Sequence, residues 1–214
     1  MWPTVEVRWF YPGQVPSSLM AWFRQVEGDA EEQPCRVDHY LRLETTEALG
    51  IKLREGRIEI KQRRHRLGLV RFHEPVAGQI EAWRKWSFAL TGAVASLGGS
   101  LAPASAWIAV EKERTLLLYQ VGSGERIVPL PAGSYEPYGC GLELTRIRAR
   151  GAAWWSLGFE AFGQEANLQQ SLVAVARHLL ASGTVPRLEA AASCGYPRWL
   201  EGITKSQNLG DRLR

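Results

Sequence analysis

Basic side chains are concentrated between residues 52 and 71, where eight Lys and Arg residues accompany two Glu residues, giving a net charge of +6. Arg supplies 21 of the 26 basic residues in the whole chain. Its planar guanidinium grips phosphate or carboxylate groups through two hydrogen bonds. A stripe of positive charge along a strand has to be solvated or matched by an anion. The residue types of this segment therefore indicate anion binding.

These charges alternate with apolar residues, which predicts strands. Ile51 and Leu53 fall on one face and Lys52 and Arg54 on the other. A turn at residues 55–56 predicts a β-hairpin over residues 50–64. The charged face either lies in water or lines a closed barrel whose outer face is covered by helices. The alternation alone leaves both arrangements open.

Similar patterns predict the other elements that must position these residues. Further strands are predicted over residues 4–10, 37–43, 67–73, 106–121, 141–148 and 153–162. Helices are predicted over residues 18–27, 80–90 and 165–181, with an acidic loop over 28–34 and a tail rich in Pro and Gly after residue 181. The uncharged segment 88–110 is predicted to hold a helix end, a loop and the start of a strand, because Gly and Pro interrupt it.

The length of 214 residues and the hydrophobic content of 45% predict one soluble domain spanning residues 1–214. Glu6 and Arg8 lie where a signal peptide would be apolar, and the three Cys residues lack CxxC spacing. These features favour the cytoplasm and no membrane partner. Nine Trp residues predict an aromatic core, with an aromatic surface for a protein partner as the alternative.

Other chemistry has little support in the sequence. The motifs of P-loop, Rossmann, serine hydrolase and zinc protease sites are absent. The four His residues lack metal-ligand spacing, and Cys140 between two Gly residues is typical of a small buried or turn cysteine. The basic run at residues 63–66 is not accompanied by an RNA-binding motif, so a nucleic-acid partner is not expected.

Several short motifs occur in a characteristic order over about residues 4–162. They are Glu6-Val7-Arg8, similar to a degenerate ExExK, then Asp38-His39-Tyr40-Leu41, Ile51-Lys52-Leu53-Arg54, Ile60-Lys61, Val110-Glu111-Lys112-Glu113-Arg114, Leu142-Glu143-Leu144 and Phe159-Glu160. In this order they resemble the CYTH family, the triphosphate tunnel metalloenzymes. The opening residues 6–13 and the tail residues 196–200 resemble a divergent, chiefly cyanobacterial group of CYTH-like proteins.

The resemblance implies an α+β fold, an antiparallel β-barrel of about eight strands that forms a tunnel with flanking helices. It implies that Lys and Arg in the lumen bind a triphosphate, polyphosphate or nucleotide. The basic residues carried over are Arg8, Lys52, Arg54, Arg57, Lys61, Arg63, Lys112 and Arg114. It also implies Mg²⁺ or Mn²⁺ as cofactor, held by Glu6, Glu59, Glu143 and Glu160, since these cations prefer oxygen ligands.

The sequence departs from the family motif at its first position, where Thr4 replaces a Glu, and Arg8 replaces the Lys. Thr4 offers a neutral hydroxyl in place of a carboxylate, so the basic anion site is better preserved than the metal site. We therefore expect a protein that binds a phosphate-rich anion, with at most weak metal-dependent phosphohydrolase activity. The alternative is a non-catalytic module that uses the barrel or its aromatic surface for another ligand or a protein.

Overall fold

Nine strands and three α-helices make up the described part of the chain, residues 1–43, 46–90, 104–181, 185 and 187–211 of a computed structural model. The strands are β1 (Trp2–Pro12), β2 (Glu31–Leu41), β3 (Leu49–Arg54), β4 (Arg57–His73), β5 (Val76–Ala89), β6 (Trp107–Val121), β7 (Ile127–Leu130), β8 (Gly139–Ala149) and β9 (Ala152–Phe162). The helices are α1 (Ser17–Gln25), α2 (Leu168–Leu180) and α3 (Tyr196–Asp211).

The strands form a closed antiparallel barrel. Eight of them follow one another in the order β2-β3-β4-β5-β1-β9-β8-β6, and pairing between β6 and β2 closes the ring. Strand β7 pairs with the C-terminal end of β6, residues 118–121. The predicted eight-stranded barrel with flanking helices is therefore confirmed, and the open choice for the charged hairpin face resolves in favour of a lumen.

Alternation along each strand separates an outer apolar face from an inner polar one. On β1, the side chains of Val5, Val7 and Trp9 belong to the outer core, whereas those of Glu6 and Arg8 line the cavity inside the barrel. Helices α1 and α2 cover this outer face with buried side chains at helical spacing. The main hydrophobic core therefore lies between the barrel wall and two helices, which leaves the lumen to charged residues.

Toward one end, the inner face of the barrel changes from charged to apolar, and α3 packs there. A second core joins strand residues of this end to the helix, namely Phe10, Tyr40, Ile108, Val110, Ile147 and Ala149 with Trp199, Leu200 and Ile203. The ring of Trp199 stacks on that of Phe10 with centroids 4.8 Å apart. Helix α3 therefore covers one mouth of the lumen, and its first residue, Tyr196, lines the cavity.

Three sequence predictions were wrong. Residues 80–90 do not form a helix, because Val76–Ala89 is strand β5. Trp83 and Trp86 are three residues apart, so on a strand their side chains lie on opposite faces. The tail predicted after residue 181 contains a helix, since α3 begins at Tyr196. The acidic loop predicted over residues 28–34 ends early, because β2 begins at Glu31. The predicted strand 67–73 exists as the second half of β4.

The described residues include both ends of the 88–110 segment. Its first two residues end β5, so no helix ends there, and its last four lie in β6. The loop predicted between them lies outside the described residues. In the part of the chain that the structure describes, no helix combines the length and the apolar character needed to cross a bilayer.

Gly78 of β5 tests the packing of the outer core. A Cβ atom added there would lie 2.5 Å from the Trp9 ring and 2.5 Å from Val7 Cγ2. We expect Gly78→Ala to lower the free energy of unfolding by about 1–3 kcal/mol through overpacking, measured by urea denaturation. The control is Gly202→Ala in α3, where an added Cβ meets no atom within 4 Å and should stabilise the helix by about 0.5–1 kcal/mol. Equal stability of the Gly78→Ala variant and the wild type would contradict this packing.

Candidate functional site

The inner face of the barrel surrounds a cavity of about 120 Å³ that is lined mainly by charged residues. Eight basic side chains from β1 to β6 contribute to it, namely Arg8, Arg36, Lys52, Arg54, Lys61, Lys85, Lys112 and Arg114. Four Glu side chains line it too, and these are Glu6, Glu59, Glu143 and Glu160. Residues more than 150 positions apart in the chain meet here because closed pairing brings β9 beside β1.

Ten of the twelve side chains that the sequence nominated line this cavity, and two do not. Arg57 lies exposed at the start of β4, where it donates a hydrogen bond to Ser87 Oγ at 2.9 Å. Arg63 donates to Glu81 Oε1 at 2.7 Å instead of lining the cavity. The common cavity expected for the basic residues therefore forms without Arg57. Whether the residues that line it bind a ligand stays a prediction.

Asp38 of β2 is the most densely paired carboxylate of the lumen. Arg54 donates to its two oxygens at 2.8 Å each, and its oxygens lie 3.3 Å from Lys112 Nζ and 3.4 Å from Lys52 Nζ. Arg36 Nε lies at 3.5 Å. Burial would raise the pKa of Asp38, but the hydrogen bonds from Arg54 and the charges of the two Lys residues hold it well below its usual range. Asp38 is therefore ionised and fixes the cations around it.

Lys112 lies between two aromatic rings next to this carboxylate. Its Nζ donates to Tyr40 Oη at 2.6 Å and lies 3.8 Å from the centroid of the Tyr196 ring. Burial and the charge of Lys52 lower the pKa of Lys112 well below its usual value. Burial and the charge of Arg54 likewise lower the pKa of Lys52 to about 8. Both shifts reflect burial first and, second, the crowding of positive charge in this part of the lumen.

Glu143 of β8 links two Arg residues, Arg8 of β1 and Arg114 of β6, whose strands lie on either side of β8. Arg8 Nη1 donates to Glu143 Oε1 at 2.7 Å, and Arg114 Nη1 donates to Oε2 at 2.9 Å. Thr145 Oγ1 adds a third bond at 2.8 Å. Burial would raise the pKa of Glu143, but the two guanidinium charges keep it well below its usual value. Glu143 therefore acts as an anchor for Arg8 and Arg114.

Lys61 of β4 holds the remaining acidic pair. Its Nζ lies 2.6 Å from Glu6 Oε2 and 3.1 Å from Glu160 Oε1. Burial would lower the pKa of Lys61, but the charges of Glu160 and Glu6 outweigh it and leave that pKa above its usual value. Glu59 is held in the same way, because its oxygens lie 3.0 Å from Lys52 Nζ and 3.4 Å from Lys85 Nζ.

The four Glu residues nominated as metal ligands are thus already paired with ammonium or guanidinium groups. No group of three His, Cys, Asp or Glu residues in the described ranges is arranged to hold a metal ion. Thr4 is buried, and its hydroxyl has no hydrogen-bond partner among the described residues. The arrangement fits Mg²⁺ or Mn²⁺ poorly, because a divalent cation needs several oxygen ligands that are free of competing cations.

The lumen carries an excess of positive charge. Eight basic side chains line the cavity, whereas five carboxylates compensate them, the four Glu residues and the fully buried Asp38, so basic groups exceed carboxylates by three. The Nε atoms of Arg8 and Arg36 are buried and have no hydrogen-bond acceptor within the described ranges. An anion in the cavity would balance the charge and accept these hydrogen bonds.

Sequence reasoning missed several members of this site. Arg36, Tyr40, Lys85 and Tyr196 line the cavity, and Asp38 lies beneath it. The motif Asp38-His39-Tyr40-Leu41 was part of the resemblance. Asp38 and Tyr40 are two residues apart on a predicted strand, so the sequence could have placed both on the same face. Tyr196 belongs to the tail motif 196–200, but nothing in the sequence placed that motif at the lumen, because Tyr196 reaches it from a helix that the sequence pattern did not predict.

Comparison with known proteins does not identify the family. No protein-family model matches the sequence, and no curated protein matches it. The resemblance to the CYTH family thus stays a prediction that depends on the short motifs and their order. The barrel itself stands on the strand pairing described above.

Proposed function

We propose that the protein binds a phosphate-rich anion, such as a triphosphate, polyphosphate or nucleotide, in the barrel lumen. The observation that carries the proposal is that basic side chains outnumber carboxylates by three around one cavity. Phosphate oxygens accept charge-assisted hydrogen bonds from Arg and Lys, which are about twice as strong as neutral ones. The ion pairs with Asp38 and Glu143 hold these donors in place before the ligand arrives, which reduces the entropic cost of binding.

The test is a titration of the protein with inorganic tripolyphosphate at fixed ionic strength, followed by calorimetry and by thermal melting. We expect saturable binding and a higher melting temperature, since a ligand at one hundred times its Kd stabilises the folded state by about 2.7 kcal/mol. An equal concentration of charge supplied as NaCl should have no such effect. Absence of both binding and stabilisation at millimolar ligand would reject the proposal.

Two Arg variants localise the binding to the lumen. Arg114 faces the cavity and pairs with Glu143 at 2.9 Å, whereas Arg146 lies on the outside of the barrel and pairs with Glu113 at 3.6 Å. Arg114→Gln should weaken tripolyphosphate binding about tenfold or more, the worth of one charge-assisted hydrogen bond. Arg146→Gln removes the same charge and should leave the Kd within about twofold, since surface charges contribute little. Equal losses in the two variants would indicate unspecific attraction.

The pH dependence of tripolyphosphate binding should reflect the protonation of Lys52. Arg54, Asp38, Glu59 and Lys85 surround it, and its pKa of about 8 lets it lose its proton just above neutral pH. A bound anion favours the protonated form, so the affinity should fall as pH rises above 8, by at most about tenfold per pH unit. Lys52→Arg stays charged and should lose this part of the dependence, while it retains any contribution from the titration of Lys112 and of tripolyphosphate. A pH profile that is the same in both proteins would contradict the assignment to Lys52.

The resemblance also implies a weak phosphohydrolase that depends on Mg²⁺ or Mn²⁺. The pairing of Glu6, Glu59, Glu143 and Glu160 with cations does not favour it. We therefore expect phosphate release from ATP or tripolyphosphate with either metal to equal that of Glu6→Gln. Release that is faster in the wild type than in Glu6→Gln would establish the enzyme.

The second candidate function is a binding module that uses the aromatic surface for a protein. Burial does not favour it, because five of the nine Trp residues are in the two cores and Trp2 is the one with an exposed side chain. The exposed aromatic residues are Trp2 on β1, Phe88 on β5, and Tyr135 and Tyr138 in the loop between β7 and β8. Isolated exposed aromatic residues are common on protein surfaces and do not indicate a partner.

A further inference from the structure

Three carboxylates lie in one row across the barrel wall. The register places Glu6 of β1 directly opposite Glu81 of β5 on one side and Glu160 of β9 on the other. Directly opposed side chains on one face have their Cβ atoms about 4.5–5.5 Å apart, so like charges there repel one another. Burial and the charge of Glu6 raise the pKa of Glu81, although Arg63 donates a hydrogen bond to it.

Lys61 reaches this row from β4. Its ammonium binds Glu6 and Glu160 at 2.6 and 3.1 Å, and it lies 5.4 Å from the centroid of the Trp83 ring. An ammonium group has three N–H donors. Two are used by the carboxylates, and the third has no hydrogen-bond acceptor in the described part of the chain. Because Lys61 also lines the cavity, this third donor is available to a ligand there.

We propose that Lys61 is a built-in cation that occupies the position where a divalent metal would bridge the acidic row and a bound phosphate group. The wild-type lumen then excludes Mg²⁺ and Mn²⁺ from this row and binds its anion without metal. A metal entering here would have to displace the ammonium from two charged hydrogen bonds and leave it buried without partners, which is costly. The exclusion of metal is argued from the geometry alone, whereas the contact between Lys61 and a bound anion rests on the proposed function.

The first experiment measures Mn²⁺ binding by the EPR signal of free Mn²⁺ in the absence of any anion. We expect no stoichiometric site in the wild type at 1:1 protein and metal in the range of about 100 µM. In Lys61→Met, which retains a chain of similar length without the charge, Glu6 and Glu160 lose their ammonium partner and become available, while Glu81 stays paired with Arg63. We expect this variant to bind one Mn²⁺ at least tenfold more tightly than the wild type. Adding Glu6→Gln to Lys61→Met should abolish the gain.

Lys61→Arg is the matched control, since it keeps the positive charge and should bind no Mn²⁺. Circular dichroism spectra establish which variants are folded. One Mn²⁺ bound by the wild type and lost in Glu6→Gln would overturn the proposal. A folded Lys61→Met variant that binds no Mn²⁺ would overturn it too, because Lys61 would then not occupy a cation site.

The second experiment needs no variant and covers the case in which Lys61→Met does not fold. Tripolyphosphate is titrated into the wild type in EDTA and again in excess Mg²⁺. We expect equal or tighter binding in EDTA, because Mg²⁺ competes with the lumen for the free anion. Binding that requires Mg²⁺ would overturn the inference but support the proposed function. Absence of binding in both buffers would reject the proposed function, and the Mn²⁺ titration of the wild type would still decide whether the row admits metal.

Discussion

Replacement of Asp38 by Asn is expected to lower the free energy of unfolding by about 3–5 kcal/mol. Asp38 has no solvent exposure and compensates four cations, Arg36, Lys52, Arg54 and Lys112. Asn retains the shape of the side chain but removes the charge. Arg36 and Lys112 then lose their carboxylate partner, and Lys52 and Arg54 retain only Glu59. Urea denaturation of the ligand-free protein measures the loss.

The matched control for this prediction is Glu113→Gln, which removes a carboxylate from a half-exposed ion pair with Arg146. We expect it to change stability by about 0.5 kcal/mol or less. Asp38→Asn should also respond more strongly to tripolyphosphate than the wild type, because the charge excess of the lumen rises from three to four. A variant as stable as the wild type, or one that tripolyphosphate does not rescue, would show that Asp38 does not organise the cations.

Removal of the Trp199 side chain is expected to have a comparable effect, a loss of about 3–5 kcal/mol for Trp199→Ala. The ring is 5% exposed, stacks on Phe10 at 4.8 Å and contacts the rings of Trp154 and Tyr196 edge to face. Its loss leaves a cavity between α3 and the end of the barrel. The same denaturation experiment measures the change.

Trp2→Ala serves as the control for Trp199→Ala. Trp2 is 55% exposed, and its removal should change stability by no more than about 0.5 kcal/mol. Because Tyr196 at the start of α3 lines the cavity, Trp199→Ala should also weaken tripolyphosphate binding, whereas Trp2→Ala should not. Equal stability of the two variants would mean that α3 contributes little to the closure of the barrel.

The predicted strands were those in which alternation is regular. The hairpin of β3 and β4 alternates cleanly around its turn at Glu55, and the structure pairs Leu53 with Ile58 across it. Strand β5 was missed because both of its faces carry large side chains. Ile80 packs in the outer core while Trp83 is buried on the opposite face, so the spacing of Trp83 and Trp86 resembled a helix.

Regular alternation also made part of the candidate site predictable. Lys52 and Arg54 alternate with apolar residues, and a closed barrel necessarily turns one face of each strand inward. The network around Asp38 depends on which strands become neighbours, and pairing between β2 and β6 joins residues about 70 positions apart. Local sequence patterns carry no information on such pairing. For the same reason, they could not show that Arg63 pairs with Glu81.

The position of β1 between β5 and β9 has a consequence for biosynthesis. Its pairing of Glu6 with Glu160 cannot form until about 150 further residues have been made. At about 5–20 residues per second, the emerging strand waits about 10–30 s for this neighbour. During that time, the face formed by Val5, Val7 and Trp9 is incompletely covered, because α2, one of the two helices that cover the outer face of the barrel, does not yet exist. Nascent chains should therefore depend on chaperones that hold an exposed apolar strand, and closure of the ring should be the slow step of folding.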